Sequence, residues 1–398
     1  MTTEAAPARP HLVIAAHGMV MIFTWGSTYY LLAVLAAPIA AETGWSLAAI
    51  TGALSFGLLV AGLASPLVGR SIARMGGRPV LAAGCVLIAA GLAILGLSTA
   101  AWAFWLGWFV LGLGMAGGLY DPAFASLGRL FGSDARRAVT LLTLWGGFAS
   151  TVCWPLSAFM LDLWGWRSTV FAYAGLHLIG TLPLVLFVIP SVETDRSVSM
   201  GRAKGATELD HRERRLFLLM AGVQVLHALI MVSISVFLFV FLQDRGLSLA
   251  EAVAIGALMG PAQVAARVVE VAAKGRHHPI WTLGASATTV AAGLLLMAFD
   301  LAIAGAAVVL FGTGNGLFSI ARGALPLALF GADRYPIIVG GLARPWLIAQ
   351  AAAPILGAWL IGRFGSEVAQ FALSGIALTN LVLVALLWTA VPRVSSGT

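Results

Sequence analysis

The sequence predicts an all-α membrane protein of twelve transmembrane helices in two six-helix repeats. Three observations predict this fold class: an apolar composition, a series of membrane-length apolar runs, and an internal repeat. Of the 398 residues, 60% are hydrophobic and only 10% are charged, whereas a soluble domain carries about 25% charged residues to solvate its surface. The mean hydropathy is +0.97. A chain of this composition can face lipid along most of its length.

Apolar runs bounded by charges or turn residues give the predicted membrane spans. Each is close to or above the length of about 20 residues that a membrane-crossing helix needs. Backbone groups in hydrocarbon must be hydrogen-bonded internally, so uninterrupted apolar runs are helices and not barrel strands. The twelve predicted spans are 11–40, 46–68, 79–98, 101–128, 138–162, 166–190, 215–242, 248–272, 279–298, 301–330, 336–361 and 366–391.

One long polar stretch, 191–214, separates the sixth span from the seventh. It predicts a linker between an N-terminal six-helix half, 1–190, and a C-terminal six-helix half, 215–398. Seventeen of the 23 basic residues lie in the linker, in the other loops on its side or in the two tails. Because cytoplasmic loops carry the excess of Lys and Arg, we expect the linker and both termini in the cytoplasm. The Ala- and Gly-rich composition suggests the inner membrane of a bacterium.

An internal repeat of about 200 residues supports the division into two halves. Trp45–Ala48 is echoed by Leu247–Ala250, and Phe131–Arg136 by Phe330–Arg334. Pro155 and Pro354 match within the fifth and eleventh spans, and those two positions complete an ordered set. Repeated halves are the architecture of transporters that move around a central binding site.

The loop between the second and third spans, Gly69–Pro79, resembles the signature loop of the major facilitator superfamily. The matching positions are Gly69, Arg74, Gly76 and Arg78. Ala73 stands where the family usually has an aspartate, so the loop ion pair implied by the resemblance is not carried over. Trp164–Arg167, at the entry to the sixth span, is also similar to many members. The resemblance covers essentially the whole chain and implies the major facilitator fold.

Within that superfamily the chain resembles the branch of monocarboxylate and oxalate/formate carriers. That branch carries an arginine in the eighth helix, here Arg267, and some members have a second cation in the eleventh, where this chain has Arg344. Gln263 stands where monocarboxylate carriers often have an aspartate. The proton-coupling pair of those carriers is therefore not implied here.

Three arginines lie inside apolar spans: Arg267, Arg322 and Arg344. Each costs roughly 2.5–3.5 kcal/mol on membrane-insertion scales, which packing, water or a ligand must offset. One hypothesis is that Arg267 and Arg344 clamp an anion through bidentate guanidinium contacts. The alternatives are an ion pair with a helix-borne carboxylate, or snorkelling to the headgroups. For Arg322 we favour snorkelling or gating.

Two carboxylates lie well inside the predicted spans, Asp121 and Glu270. Asp121 precedes Pro122, which is expected to kink the fourth helix. This carboxylate could close a cytoplasmic gate by pairing with an arginine, could carry a coupled proton, or could simply pack. Glu270 is three residues from Arg267 and could pair with it. Both are predicted gating or proton-coupling residues, together with Arg322.

Neutral polar and aromatic side chains complete the predicted substrate site. Interhelical hydrogen bonding is the alternative interpretation for each of the polar ones, since such residues commonly join membrane helices. Besides Arg267 and Arg344, the predicted substrate-binding residues are Trp25, Tyr29, Tyr30, Gln224, His227, Gln263, Asn315 and Gln350.

The sequence thus predicts a secondary active transporter of a small organic anion, resembling a mono- or dicarboxylate. It would work by alternating access, coupled to protons or by exchange, as a monomer in the lipid bilayer. An efflux pump for xenobiotics is the alternative within the same fold, and a non-transporting receptor or scaffold is the alternative of another class. No triad, nucleotide loop or metal-ligand spacing suggests an enzyme, a cofactor, a metal or a nucleic-acid partner.

Overall fold

The computed structural model describes residues 9–191, 209–272, 277–299 and 303–391. Every regular element within these ranges is helical. The described residues fall into two compact units. The first comprises those within Met1–Thr207 and Gly331–Ala351, and the second those within Glu208–Phe330 and Ala352–Thr398. The segment Gly331–Ala351 therefore packs with the first unit, although it follows most of the second unit in the chain.

The first unit contains nine helices. They are α1 (Pro10–Ser27), α2 (Leu31–Thr43), α3 (Leu47–Met75), α4 (Gly77–Leu97), α5 (Ala101–Gly118), α6 (Tyr120–Phe131), α7 (Ala135–Gly147), α8 (Ala149–Leu176) and α9 (Leu182–Val188). A 3₁₀ turn at Gly132–Asp134 joins α6 to α7, and a π-helical turn at His177–Thr181 joins α8 to α9.

The second unit begins with four separate helices. They are α10 (His211–Gln243), α11 (Leu249–Gly256), α12 (Met259–Ala272) and α13 (Pro279–Phe299). The last helix, α14 (Ala304–Ala390), contributes to both units. Its 87 residues far exceed the length that one bilayer crossing needs. Gly331 and Gly365 interrupt it with φ values of 73° and 87°, which lie in the left-handed region that glycine adopts without steric cost.

Nine helical segments in the described parts of the chain are long and apolar enough to cross a membrane. Two of them, Ala135–Val188 and Ala304–Ala390, have the length of more than one crossing. The first is interrupted at Gly165 (φ 75°, ψ 170°), and the second at the two glycines of α14. These three breaks agree with the spacing of the predicted spans, and the count of twelve stays a prediction.

Three first-unit spans are broken between paired helices. Residues Thr28–Tyr30 separate α1 from α2, Leu119 separates α5 from α6, and Phe148 separates α7 from α8. The fourth span thus breaks at Leu119, three residues before Pro122. Pro122 instead lies in the first turn of α6, where its missing N–H leaves no hydrogen bond unmade. Interrupted membrane helices free backbone groups and are found where a cavity or binding site needs them.

Each unit has its own apolar core. In the first, the core is formed by residues such as Leu31, Ile50, Trp108, Val170 and Tyr173. In the second, it is formed by residues such as Ile230, Phe241, Leu294, Phe311 and Leu373. Large apolar side chains also cover the outside, among them Leu97, Ile179 and Phe187. Such exposure would be costly in water and is favourable against lipid chains.

Helix ends are stabilised in the same way in both units. The Ser46 hydroxyl accepts a hydrogen bond from Ala49 N at the start of α3, and the Ser248 hydroxyl accepts one from Glu251 N at the start of α11. These serines are equivalent positions of the sequence repeat. Both are N-caps, which explains why the repeat keeps Ser at this point.

The loop motif of the first unit relies on close backbone approach. A Cβ atom on Gly69 would lie 3.0 Å from the Cα of Gly340. The backbones of α3 and α14 can therefore approach this closely only where both residues are glycine. The carbonyl of Ala73 accepts a hydrogen bond from the Arg129 guanidinium. The loop is thus tied to the end of α6 through the backbone at the position where the resemblance would place a carboxylate.

Candidate functional site

Among the described residues of the second unit, Arg267 is the most buried charged side chain. It lies on α12 with only 6% of its surface exposed. Its Nε–H donates to the Ser319 hydroxyl at 3.1 Å, and an Nη–H donates to Gln263 Oε1 at 3.4 Å. The Ser319 hydroxyl in turn donates to the Gly316 carbonyl at 2.7 Å. These contacts orient the guanidinium from two helices, α12 and α14.

Two glycines set the register that brings Ser319 to Arg267. A Cβ on Gly312 would lie 2.7 Å from Met259 O, and one on Gly316 would lie 2.5 Å from Gln263 O. The glycines are four residues apart, so they lie on one face of α14 and let its backbone approach α12. The next turn of each helix carries Ser319 and Arg267, which then meet.

The first unit repeats this glycine packing without the charge. A Cβ on Gly112 would lie 2.5 Å from Gly57 O, as Gly312 meets Met259 in the second unit. Ser65 follows Gly57 on α3 by the same number of residues as Arg267 follows Met259 on α12. Ser65 is therefore the counterpart of Arg267 in the first unit. Its hydroxyl donates to its own helix, at Ala61 O, over 2.7 Å. The repeat therefore conserves the packing, while the buried cation belongs to the second unit.

His227 is fully buried on α10 and contacts α14 at two residues. Its Nε2–H donates to Asn315 Oδ1 at 3.1 Å, and its ring stacks on Phe318 with centroids 3.6 Å apart. Arg322 lies one turn beyond Phe318 on α14 and is half-buried. Two of the predicted substrate-binding residues, His227 and Asn315, are thus in contact in the second unit.

Two buried glutamine side chains have amide atoms without a hydrogen-bond partner among the described residues. In the second unit, Gln224 is 4% exposed and its Oε1 has none. In the first unit, Gln350 is 1% exposed, and neither its Oε1 nor its Nε2 has one. A buried polar atom left unsatisfied costs about 1–3 kcal/mol. Both positions are therefore places where a bound solute or water would be stabilised.

Glu270 contacts residues next to the loop that precedes α13. Its Oε1 accepts from the Thr282 hydroxyl at 2.9 Å and lies 3.2 Å from His277 Nε2. The same His277 nitrogen is 3.2 Å from the Thr282 hydroxyl. The carboxylate is thus the centre of a three-residue polar cluster at one end of α12 and α13.

Aromatic side chains surround the helix break of the first unit. The Trp25 ring lies 5.2 Å from that of Tyr29 and 6.0 Å from that of Tyr30. Two further rings come from α6 and α8: Tyr120, 5.2 Å from Trp25, and Trp154, 5.7 Å from Tyr30. We call these five residues the aromatic cluster. The buried Trp25 Nε1 has no hydrogen-bond acceptor within the described part of the chain, so this N–H could serve a bound solute.

Asp121 follows the aromatic cluster residue Tyr120 and is half-buried. It lines a small cavity of 10 Å³ together with Ser65, Gly69 and Gly340, among others. That volume is about the space that the centre of one water molecule needs. The carboxylate can therefore be solvated inside the first unit, which is compatible with either the gating or the proton-coupling role predicted for it.

Arg344 is packed with the first unit, on the Gly331–Ala351 segment of α14, and its side chain is exposed. Its backbone carbonyl lies close to α3, 3.1 Å from a Cβ built on Gly62. Arg267 belongs to the second unit. The hypothesis that these two arginines clamp one anion stays a prediction.

Several neighbours of the predicted residues were not identified from the sequence. They are Ser319, Phe318, Thr282, Tyr120 and Trp154. Ser319 follows the Gly312–Gly316 pair by less than one turn, which is a signal that could have marked it. Trp154 precedes Pro155, one of the repeat positions. For Phe318, Thr282 and Tyr120, nothing in the local pattern distinguishes them from ordinary helix-packing residues.

Membrane-length helices with interruptions, buried charged side chains and repeated packing are features of a polytopic membrane protein. The family model described as Major Facilitator Superfamily matches residues 18–343. The chain belongs to that family, as its loop motif predicts. It is therefore a multi-pass membrane protein that transports a small-molecule substrate.

Solved structures confirm the fold at low sequence identity. The human organic anion transporter MFSD10 (TETRAN) has a TM-score of 0.77 at 14% identity, with 94% of this chain and 99% of that chain covered. The proton:xylose symporter XylE has a TM-score of 0.74 at 14% identity, covering 98% and 97%. The E. coli fucose:proton symporter FucP has a TM-score of 0.72 at 13% identity, covering 95% and 99%. By sequence, no curated protein matches the chain.

Proposed function

We propose that this transporter moves a small organic anion, resembling a mono- or dicarboxylate, across the bacterial inner membrane. The observation that carries the proposal is Arg267, a 6% exposed guanidinium held on two helices by Gln263 and Ser319. A planar guanidinium offers carboxylates paired N–H donors in a fixed geometry. Transport of organic anions is also the activity named for the structural relative MFSD10.

The proposed mechanism is alternating access controlled by charge. A guanidinium in a low-dielectric interior attracts an anion more strongly than it does in water. A carboxylate bound to Arg267 would neutralise its charge, which lowers the cost of closing the cavity around it and favours the occluded state. Substrate binding would thereby lower the barrier to the conformational change, which is how a ligand shifts a two-state equilibrium. Arg344 is the second cation that the sequence predicts for the same anion.

Coupling to protons or exchange is the second part of the proposal. Asp121 is half-buried beside a cavity of water size, and Glu270 lies in a polar cluster with His277 and Thr282. The structural relatives XylE and FucP are proton symporters. For this chain, uptake driven by an imposed pH gradient would show proton coupling, and uptake driven only by internal anion would show exchange.

The experiment is uptake into proteoliposomes with a panel of radiolabelled mono- and dicarboxylates. We expect Arg267→Gln to remove uptake of the best substrate, and Arg267→Lys to retain the charge with weaker binding. Arg137→Gln is the matched control, since Arg137 is exposed on α7. Equal transport by Arg267→Gln and the parent would refute the role of Arg267. Absence of carboxylate transport by a folded parent protein would refute the substrate class.

A second candidate is efflux of lipophilic xenobiotics, and the aromatic cluster favours it. Its five rings at the α1–α2 break offer flat apolar surfaces, and each stacking contact is worth about 0.5–1.5 kcal/mol. Under this alternative, fluorescent dyes bind to the parent, and Tyr30→Ala and Trp154→Ala weaken that binding. Trp102→Ala is the control, because Trp102 is a 72% exposed tryptophan. Carboxylate binding without dye binding would exclude this candidate.

A further inference from the structure

The second unit has a groove that is separate from the candidate functional site, since none of the buried polar residues described above lines it. It has a volume of about 540 Å³ and lies where the first turns of α10 meet the last part of α14. Its lining residues are His211, Arg214, Arg215, Leu218, Leu219, Gly222 and Leu383. One end is basic and the remainder is apolar, which is an arrangement that neither the transport activity nor the family assignment requires.

The basic end lies at the predicted boundary of the membrane. The predicted seventh span starts at residue 215, directly after the polar linker. Arg214 and Arg215 are exposed there, and no ion pair joins either of them to another described residue. Anionic lipids raise the local affinity for clustered Lys and Arg side chains at such a boundary.

The nearby carboxylates do not line the groove. Asp210 and Glu213 form a capping box at the start of α10. Glu213 N donates to Asp210 Oδ1 at 2.7 Å, and Asp210 N donates to Glu213 Oε2 at 3.1 Å. Both acids thus bind the backbone at the helix start, and the groove presents only cations and His211 at this end.

The apolar end follows the helix into the membrane. Leu218 is 58% exposed, and Leu219 and Gly222 continue the wall along α10. The floor is narrow, because a Cβ on Gly222 would lie 3.1 Å from Leu383 Cδ1. A molecule that fills this groove needs an anionic headgroup at the membrane boundary and an apolar chain that runs along α10. A soluble anion has the charge but lacks the apolar chain.

We propose that this groove binds an anionic phospholipid, with its phosphate between Arg214 and Arg215 and an acyl chain along Leu218 and Leu383. The lipid is distinct from the transported solute, which is assigned to Arg267. Charge complementarity selects the headgroup, and the apolar wall selects a membrane lipid over a free phosphate. Occupancy of the groove therefore depends on the fraction of anionic lipid in the surrounding leaflet.

The test is binding of phosphatidylglycerol to the purified full-length protein, measured by native mass spectrometry and by thermal shift in mixed micelles. Phosphatidylcholine is the lipid without net charge. We expect Arg214→Gln/Arg215→Gln to weaken phosphatidylglycerol binding roughly 30-fold, from the contribution of two surface cations. Arg70→Gln/Arg137→Gln removes two exposed arginines elsewhere and should leave binding unchanged.

Two further experiments distinguish the source of the anion and guard against misfolding. Glycerol 3-phosphate should not compete with phosphatidylglycerol for binding. Leu218→Gln should weaken phosphatidylglycerol binding, because it removes part of the apolar wall. Photo-crosslinking of an acyl-chain probe on the unmodified protein should label α10 near Leu218. Equal binding of the two lipids, full competition by glycerol 3-phosphate, or labelling elsewhere would each overturn the proposal.

Discussion

The Nε–H of Arg267 donates to the Ser319 hydroxyl at 3.1 Å, and that hydroxyl donates onward to Gly316 O at 2.7 Å. Ser319 thus accepts from the guanidinium because its own proton is already used by the backbone of α14. This relay orients a buried charge from a residue that is 52 positions away in the chain. It makes Ser319 a positioning residue for whatever Arg267 binds.

Ser319→Ala should therefore weaken substrate recognition without preventing folding. Loss of one hydrogen bond to a charged group costs about 1.5–3 kcal/mol, or roughly 10–150-fold in affinity. We expect most of the effect in KM for uptake into proteoliposomes, since the guanidinium itself remains. Ser319→Thr keeps the hydroxyl and should restore most of the affinity. An unchanged KM in Ser319→Ala would show that Ser319 does not position Arg267.

The glycine packing between α12 and α14 should be intolerant of a methyl group. A Cβ on Gly316 would lie 2.9 Å from Gln263 Cα, so Gly316→Ala must separate the two helices. We expect a loss of about 1–3 kcal/mol of stability, as for other overpacked positions, measured as a lower midpoint of thermal unfolding in detergent. Gly375→Ala is the control, because its Cβ meets no atom within 4 Å. Equal midpoints for both variants would contradict this packing.

The break at Gly365 should depend on its backbone conformation and not on space. Its φ is 87°, and a Cβ there meets nothing within 4 Å. Gly365→Ala should therefore cost about 1–2 kcal/mol through the left-handed conformation alone. Gly362→Ala, three residues earlier on the same helix and equally open, should be neutral or slightly stabilising. A comparison of the two unfolding midpoints tests this, and no difference would mean that the break is not at Gly365.

Arg167 should contribute more to stability than its ion-pair partner Glu42. Its guanidinium donates to the carbonyls of Gly96 and Ser98 at 2.9 and 2.7 Å, at the end of α4, and to Glu42 at 2.9 Å. The Glu42 side chain is 51% exposed, and an exposed ion pair is worth about 0–1 kcal/mol.

The corresponding measurement compares Arg167→Ala with Glu42→Ala in thermal unfolding. Arg167→Ala leaves carbonyls at a helix end without their donor, so we expect a loss of about 1–3 kcal/mol. Arg245 has the same arrangement in the second unit, where it donates to Met297 O and Ala298 O at the end of α13. Arg245→Ala should lose a similar amount. If Glu42→Ala lowers the unfolding midpoint more than Arg167→Ala does, the prediction that Arg167 contributes more to stability is wrong.

Helix termini and breaks were only partly predictable. The predicted first span, 11–40, corresponds to two helices, α1 and α2, with a break at Thr28–Tyr30. No proline or charge marks that break in the sequence. It is stabilised by side chains from other helices, among them Tyr120 and Trp154 in the aromatic cluster. A local pattern does not contain that information, because the rings come from spans far apart in the chain.

The sequence by itself determined the class, the family and the residue types of the candidate site. A bilayer requires every spanning segment to satisfy its own backbone, which imposes a one-dimensional apolar pattern that can be read directly. A charge inside such a segment is expensive, so Arg267, Asp121 and Glu270 are conspicuous in the sequence alone.

Only the tertiary structure decided which of these residues meet. His227 and Asn315 are 88 residues apart, and the contact depends on the rotation of α10 against α14. Arg267 meets Ser319 because Gly312 and Gly316 let two helix backbones come together in one register. Helix rotation and register follow from side-chain volume on both partners at once. For this reason the hydrophobic pattern predicted the helices, whereas the polar contacts between them became known only from the tertiary structure.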